Sequence, residues 1–389
     1  MPDAPRPPAP GRADPPGAPD LPARGEGPSL AELAARAEVL VCAGPGGVGK
    51  TTTAAAVAVH AALQGRRACV VTIDPAKRLA DALGLATLGN EPHLVEGPWP
   101  EPGELWALML DTKSTFDDLV HRYAGGPAQA EAILANRFYR NISSALSGTQ
   151  EYMAVEKLYE LHETGRFDLV VVDTPPTRQA LDFLDAPRRL MRFLDNRIFR
   201  LLMMPTRAGL RAVNVATQLF LRTVSRVVGG EVVREALAFF TAFEGMEQGF
   251  RERTDRVEAL LCSPSTAFVL VATPRAGATA EAAYFAAKLG EAGLGVAAVV
   301  ENRVFPHFGV PAALLEGKDA ATPAPGGYAA LLANAADLDR VATSEDVHIA
   351  SLVEHTPGAA LVRVPFLAEE VHDLDGLVTV ARHLFPGAG

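Results

Sequence analysis

Short apolar runs alternate along this 389-residue chain with stretches whose apolar residues recur every three or four positions. The short runs are Val39–Ala43, Ala68–Ile73, Trp106–Leu110, Asp168–Asp173, Ala267–Thr273, Val296–Glu301 and Leu361–Val364. Their length and valine content predict strands, and runs apolar on both faces belong to parallel strands covered on both sides. Helices are expected between them, at about Gly49–Gln64, Glu151–His162, Thr279–Ala292 and Glu369–Leu384. The fold class this pattern predicts is α/β, a doubly wound, mostly parallel sheet.

Two segments interrupt the alternation. Residues 114–165 and 185–261 read as helical, and the second is much longer than an ordinary crossover. Both are expected to be helical insertions at one end of the sheet. The chain shows no internal duplication, so it holds one such α/β unit. Residues 1–28 are dense in Pro, Ala and Gly and are read as a disordered tail, leaving 29–389 as the folded domain.

Composition narrows the function classes. The apolar fraction is 48%, enough for a large core, and the formal net charge is −10, which argues against nucleic acid as a partner. The tail lacks an apolar signal region, and no apolar run has the ~18 residues of a membrane-spanning helix. Cys42, Cys69 and Cys262 are scattered without metal-ligand spacing, as in a reducing compartment. A cytoplasmic location is expected.

The candidate chemistry begins after the first strand. Gly44-Pro-Gly-Gly-Val-Gly-Lys-Thr51 satisfies G-x-x-x-x-G-K-[ST], with an apolar strand before it and an alanine-rich helix after it. Glycines at Gly46, Gly47 and Gly49, with Val48 between, let backbone N–H groups point at phosphate oxygens, and the helix N-terminus adds its dipole. Lys50 would supply charge to the terminal phosphates, Thr51 a hydroxyl to Mg²⁺, and Thr52 a contact to the α-phosphate. Asp173 ends a buried strand, where an aspartate holding Mg²⁺ through water is expected in such enzymes. Asp74 ends the second strand, where ligand sites form, and could orient or deprotonate an attacking water. The alternative for each aspartate is a turn or cap residue.

Together these stretches resemble the ArsA-type anion-transporting ATPases, a family that includes the ATPases targeting tail-anchored membrane proteins and that groups with MinD/ParA and the nitrogenase iron protein. The resemblance covers nearly the whole chain after Ser29. The family's phosphate loop G-K-G-G-V-G-K-T corresponds to Gly44–Thr51. Its first switch, beginning D-P-A, matches Asp74-Pro75-Ala76, which carries the catalytic aspartate to Asp74. Its second switch, D-T-A-P-T-G-H-T, matches Asp173–Ala180. The adenine-reading Asn of V-V-N maps to Asn302, with Glu301 intervening. The late V-P-L turn maps to Val364-Pro365-Phe366, near the base. "DTKSTFDDLV", "NISSALSGTQEYMAVEKLYEL" and "DFLDAPRRL" are similar to an actinobacterial subgroup often encoded as two paralogues.

The departures are specific. The family's first loop lysine reaches across a dimer to the partner's nucleotide; here that position is Pro45, and the histidine of the second switch is Gln179. No CxxC matches the zinc-bridged dimers, and no cysteine trio matches the metalloid-binding branch. The resemblance implies ATP and Mg²⁺ as cofactors, and a homodimer or a heterodimer with a lysine-bearing paralogue. It also implies a hydrophobic client or membrane-protein partner, with membrane association through that partner. A MinD-like surface regulator is disfavoured because residues 377–389 lack a basic amphipathic helix.

Within 185–261, Val213, Ala216, Phe220, Val224 and Val227 share one helical face. Phe193, Phe199, Leu202, Met203 and Met204 form a second apolar group, and Phe239, Phe240, Phe243 and Phe250 a third. Such groups suit either a client groove or ordinary helix-to-helix packing. Two functions follow: an ATPase that couples hydrolysis to dimer and helical movement, or a nucleotide-binding partner subunit that does not hydrolyse.

Overall fold

Along the first strand, alternate residues face opposite cores. Leu40 and Cys42 pack into one apolar cluster, while Val39, Val41 and Ala43 pack into another. This two-sided burial marks a strand in the middle of a sheet covered on both faces. The computed structural model describes residues 27–74, 78–137, 139–140, 149–176, 183, 185–189, 191–192, 230–309 and 328–387.

Eight strands form one sheet: β1 (Val39–Ala43), β2 (Arg67–Thr72), β3 (His93–Val95), β4 (Glu104–Met109), β5 (Leu169–Asp173), β6 (Thr266–Ala272), β7 (Val296–Val304) and β8 (Ala360–Pro365). Their order is β3-β4-β2-β5-β1-β6-β7-β8. Every neighbouring pair is parallel except β3 with β4. The chain is therefore α/β with a mostly parallel sheet, the fold of a P-loop NTPase. All seven expected strands are present. The eighth, β3, is three residues long with one buried side chain, too short to show a hydrophobic period.

The described helices are α1 (Leu30–Arg36), α2 (Lys50–Leu63), α3 (Arg78–Ala82), α4 (Thr112–Tyr123), α5 (Pro127–Leu134), α6 (Thr149–Glu163), α7 (Gly230–Phe243), α8 (Glu247–Leu261), α9 (Ala276–Glu291), α10 (Tyr328–Glu354) and α11 (Leu374–Leu384). Helix α2 is buried along nearly its whole length, because its alanines allow close approach to the sheet. On its far side, His60 stacks on Phe385 beyond α11, ring centroids 3.6 Å apart.

The last helix starts later than the expected Glu369. Asp373 caps it, its carboxylate accepting the Gly376 N–H at 2.8 Å. Three described helices carry no expectation from the sequence pattern. One is α1, although its capping box between Ser29 and Glu32 is a readable start signal. Another is α3, whose five residues are too few to show a helical period. The last is α10, whose alanine-rich 27 residues have little amphipathic contrast.

A third cluster lies among α4, α5, α6, α7 and α8, where Phe239, Phe240, Phe243 and Phe250 are buried with Tyr139 and Met153. For those four phenylalanines, packing between helices is the observed role. The other two apolar groups of the 185–261 segment lie outside the described residues. No helix among the described residues is long and apolar enough to cross a membrane.

Candidate functional site

The central strand β1 delivers the loop Gly44–Gly49 to the N-terminus of α2. Two glycines there are required by space. A Cβ on Gly44 would lie 2.0 Å from the Val271 carbonyl oxygen of β6. Gly49 has φ +94°, and its Cβ would lie 2.2 Å from Asn302 Nδ2. The loop is thus wedged against the ends of β6 and β7, leaving its inner face to a ligand.

Lys50 is buried, and its Nζ donates to the Pro45 carbonyl at 2.8 Å. Burial pulls its ammonium below the usual lysine range, against the attraction of Asp173 and Asp74. Pro45 therefore still serves the loop: its carbonyl holds the lysine, although it brings neither an N–H nor a side-chain charge.

Asp173 is 1% exposed at the end of β5. Its Oδ2 accepts from Thr51 Oγ1 at 2.7 Å and from Thr72 Oγ1 at 2.9 Å. Its Oδ1 is buried and has no hydrogen-bond partner. Burial pushes its carboxyl up to about 6, although both hydroxyls and Lys50 favour the anion. A buried carboxylate oxygen left over beside a hydroxyl is a hard-oxygen donor pair with a deficit of positive charge. These residues fit Mg²⁺, which takes few protein ligands and completes its shell with water and phosphate.

Asp74 sits just beyond β2, its N–H donating to Thr72 Oγ1 at 3.3 Å. Arg78 on α3 reaches its carboxylate at 3.7 Å. Thr174 donates to the Cys42 carbonyl through Oγ1 at 2.8 Å, pinning the exit of β5 to β1. Gly46, Gly47, Lys50, Thr51, Asp74 and Asp173 all line one cavity of about 400 Å³.

A second cavity of about 590 Å³ adjoins it and is lined by Thr52, Asn302, Pro365 and Phe366. Gly49, Thr52, Arg303, Val371 and His372 line both. Asn302 Nδ2 donates to the Val48 carbonyl at 2.8 Å, so this side chain braces the loop from behind. Glu301 does not disturb it: strand side chains alternate, and Glu301 is fully buried on the opposite face. Phe366 is 57% exposed and stacks on Phe305 at 5.6 Å. Phe305 is in turn fixed by its N–H, which donates to Glu345 of α10 at 2.8 Å.

Every sequence-derived site residue except Val48 thus lines one of two joined cavities. The side chain of Val48 is buried beneath the loop, to which it contributes backbone. Sequence reasoning missed Arg303, Val371 and His372. The polar pair Asn302-Arg303 at a strand end was the readable signal for the first; the other two lie in a loop without a motif.

The family model of the anion-transporting ATPases matches residues 37–319, more than half of the chain. The uncharacterized protein SCO2128 of Streptomyces coelicolor is 34% identical over 271 residues, covering 69% of this chain and 63% of that protein. ATPase get3 of Aspergillus terreus is 31% identical over 155 residues, 39% of this chain and 43% of that protein. ATPase ARSA1 of Chlamydomonas reinhardtii is 26% identical over 292 residues, 67% of this chain and 34% of that protein. In each case the match spans less than two thirds of the relative's length. The matched region holds the phosphate-type loop, Asp74, Asp173 and Asn302, and by that match the chain belongs to the anion-transporting ATPase family.

Proposed function

We propose that the chain binds Mg·ATP in the two joined cavities and hydrolyses it. The observation that carries this reading is the Thr51–Asp173 pair, with a leftover buried carboxylate oxygen, set beside Lys50 at a helix N-terminus. The smaller cavity receives the phosphates. The larger receives the base, between Asn302 and the Pro365-Phe366 turn. Thr51, and Asp173 through water, would hold Mg²⁺, whose role when bound is to neutralise charge on the terminal phosphates. Lys50 leaves the Pro45 carbonyl for phosphate oxygens. Asp74 orients the attacking water and takes its proton.

A dimer, of this chain alone or with a lysine-bearing paralogue, would place the site near an interface. Nucleotide state would move the helices inserted between β4 and β6, which we take to serve a hydrophobic client or membrane partner. A γ-phosphate shifts such a dimer only if it binds the closed and open states differently.

Pro45 favours a second reading, a partner subunit that binds nucleotide without hydrolysing it. ATP binding and turnover, measured on the chain alone and mixed with a lysine-bearing paralogue, separate the two. Turnover that is lost in Lys50→Ala with binding, and in Asp74→Asn without loss of binding, supports the ATPase. Bound ATP with no turnover in either preparation supports the partner subunit. No ATP binding at all sinks both.

A further inference from the structure

We infer that Arg303 supplies, within the same chain, the phosphate-directed cation that Pro45 leaves out. The inference rests on the reading of the two cavities as an ATP site. Its geometry is independent of any partner.

Three observations meet at this residue. Arg303 is the one non-glycine residue with positive φ among the described residues, at 62°. An arginine held there costs on the order of 1 kcal/mol, and such positions persist where the surrounding structure enforces them. The surrounding structure here is a bulge. Asn302 pairs with Val364 and Val304 with Pro365, so Arg303 is the extra residue of β7. Bulges re-aim side chains beside sites. The re-aimed guanidinium donates to the Gly47 carbonyl at 3.3 Å, on the phosphate loop itself.

Position completes the argument. Arg303 lines both the phosphate cavity and the base cavity. Lys50 lines the phosphate cavity alone, so in the proposed ATP site a cation on that border would face the polyphosphate from the side of the base. The other arginine of the phosphate cavity, Arg78, is paired with Asp74. Arg303 therefore occupies the place from which a planar, permanently charged fork can span phosphate oxygens.

In the reaction, the water oxygen bonds to the γ-phosphorus while its proton passes to Asp74. The bond from the γ-phosphorus to the bridging oxygen breaks, and that electron pair leaves on ADP. Negative charge grows on the bridging oxygen. The Arg303 guanidinium neutralises it, making Arg303 a catalytic residue rather than a latch for the loop.

The test uses the full-length chain with Arg303→Asn, which keeps a residue tolerant of positive φ, and Arg303→Lys. ATP affinity and single-turnover hydrolysis are measured for each. The expected result is affinity within about threefold of wild type and a kcat lower by at least about 10²-fold in Arg303→Asn. A transition-state cation is worth about 10³–10⁵ in other P-loop enzymes. Arg303→Lys should recover part of the rate.

Mixing Arg303→Asn with Lys50→Ala then separates the same chain from a neighbour. No recovery is expected, since each site needs its own lysine and its own arginine. Recovery on mixing would mean that the arginine acts across a dimer, and overturns the inference. So would an unchanged kcat, a weakened affinity with kcat intact, or a wild-type chain that binds ATP without turnover. A wild-type chain that binds no ATP instead removes the underlying reading of the site.

Discussion

Gly49 carries two constraints at once: a left-handed backbone and a side chain of Asn302 packed where a Cβ would go. These costs are separable. Gly49→Ala should destabilise the protein by about 2–4 kcal/mol, of which about 1 kcal/mol is backbone strain. In an Asn302→Ala background the contact disappears, and the same substitution should cost only the strain. Urea unfolding of the four proteins checks this; additive effects would mean that Asn302 does not press on the loop. The glycine was legible from the motif, which demands it for phosphate approach. Its pressure from Asn302, 253 residues later in the chain, was not, because nothing local reports which strand end will lie behind the loop.

At the scale of elements, α6 and α8 are held together by a buried charge cluster. Arg253 of α8 donates to Glu156 at 2.6 Å and to Glu163 at 2.5 Å, and its guanidinium covers the Tyr159 ring at 4.0 Å. Arg253 and Glu156 are 3% and 1% exposed. Burial still pushes the Glu156 carboxyl up, against Arg253. Arg253→Met should therefore cost about 3–5 kcal/mol by stranding Glu156, whereas Arg253→Met with Glu156→Met should recover most of that loss. Thermal unfolding of the single and double variants decides it, and an equal loss in both would mean that packing, not charge, is at stake. The helices themselves follow from apolar spacing, and so does the cluster of Phe239, Phe240, Phe243 and Phe250. The ion pair does not, because a charged residue on an amphipathic helix reads as solvent-facing until its partner helix is placed.

Across the whole molecule, Glu301 links stability to pH. It is fully buried in β7, neither carboxylate oxygen has a hydrogen-bond partner, and burial pushes it up to about 7 despite Arg363. The folded protein keeps this proton up to about pH 7, while the unfolded chain releases it near 4.5. Between those values the folded state binds more protons, so this residue lowers stability as pH rises. The stability of Glu301→Gln relative to wild type should grow by about 3 kcal/mol from pH 4.5 to pH 7 and then level off. His60 acts with the opposite sign. Burial pulls it down to about 4, so its contribution is complete above its unfolded value near 6.5 and is lost as pH falls toward 4. Chemical denaturation across this range, with Glu301→Gln against wild type, isolates the carboxylate. A constant difference would show that Glu301 is ionised in the folded protein.

The sequence by itself determined the fold class, the seven long strands, the phosphate-type loop and the two strand-end aspartates. Each is a local pattern: apolar runs of strand length, glycines at fixed offsets, a lysine opening a helix. Tertiary structure decided what those patterns meet. It put the Asn302 end of β7 and the Pro365-Phe366 end of β8 beside a loop that precedes them by about 250 and 310 positions. It gave the Lys50 ammonium to the Pro45 carbonyl, left Asp173 one unpaired oxygen, and threw Arg303 across the loop through a bulge. Such relations depend on strand order and register, which arise from long-range pairing and burial and leave no mark at a single position.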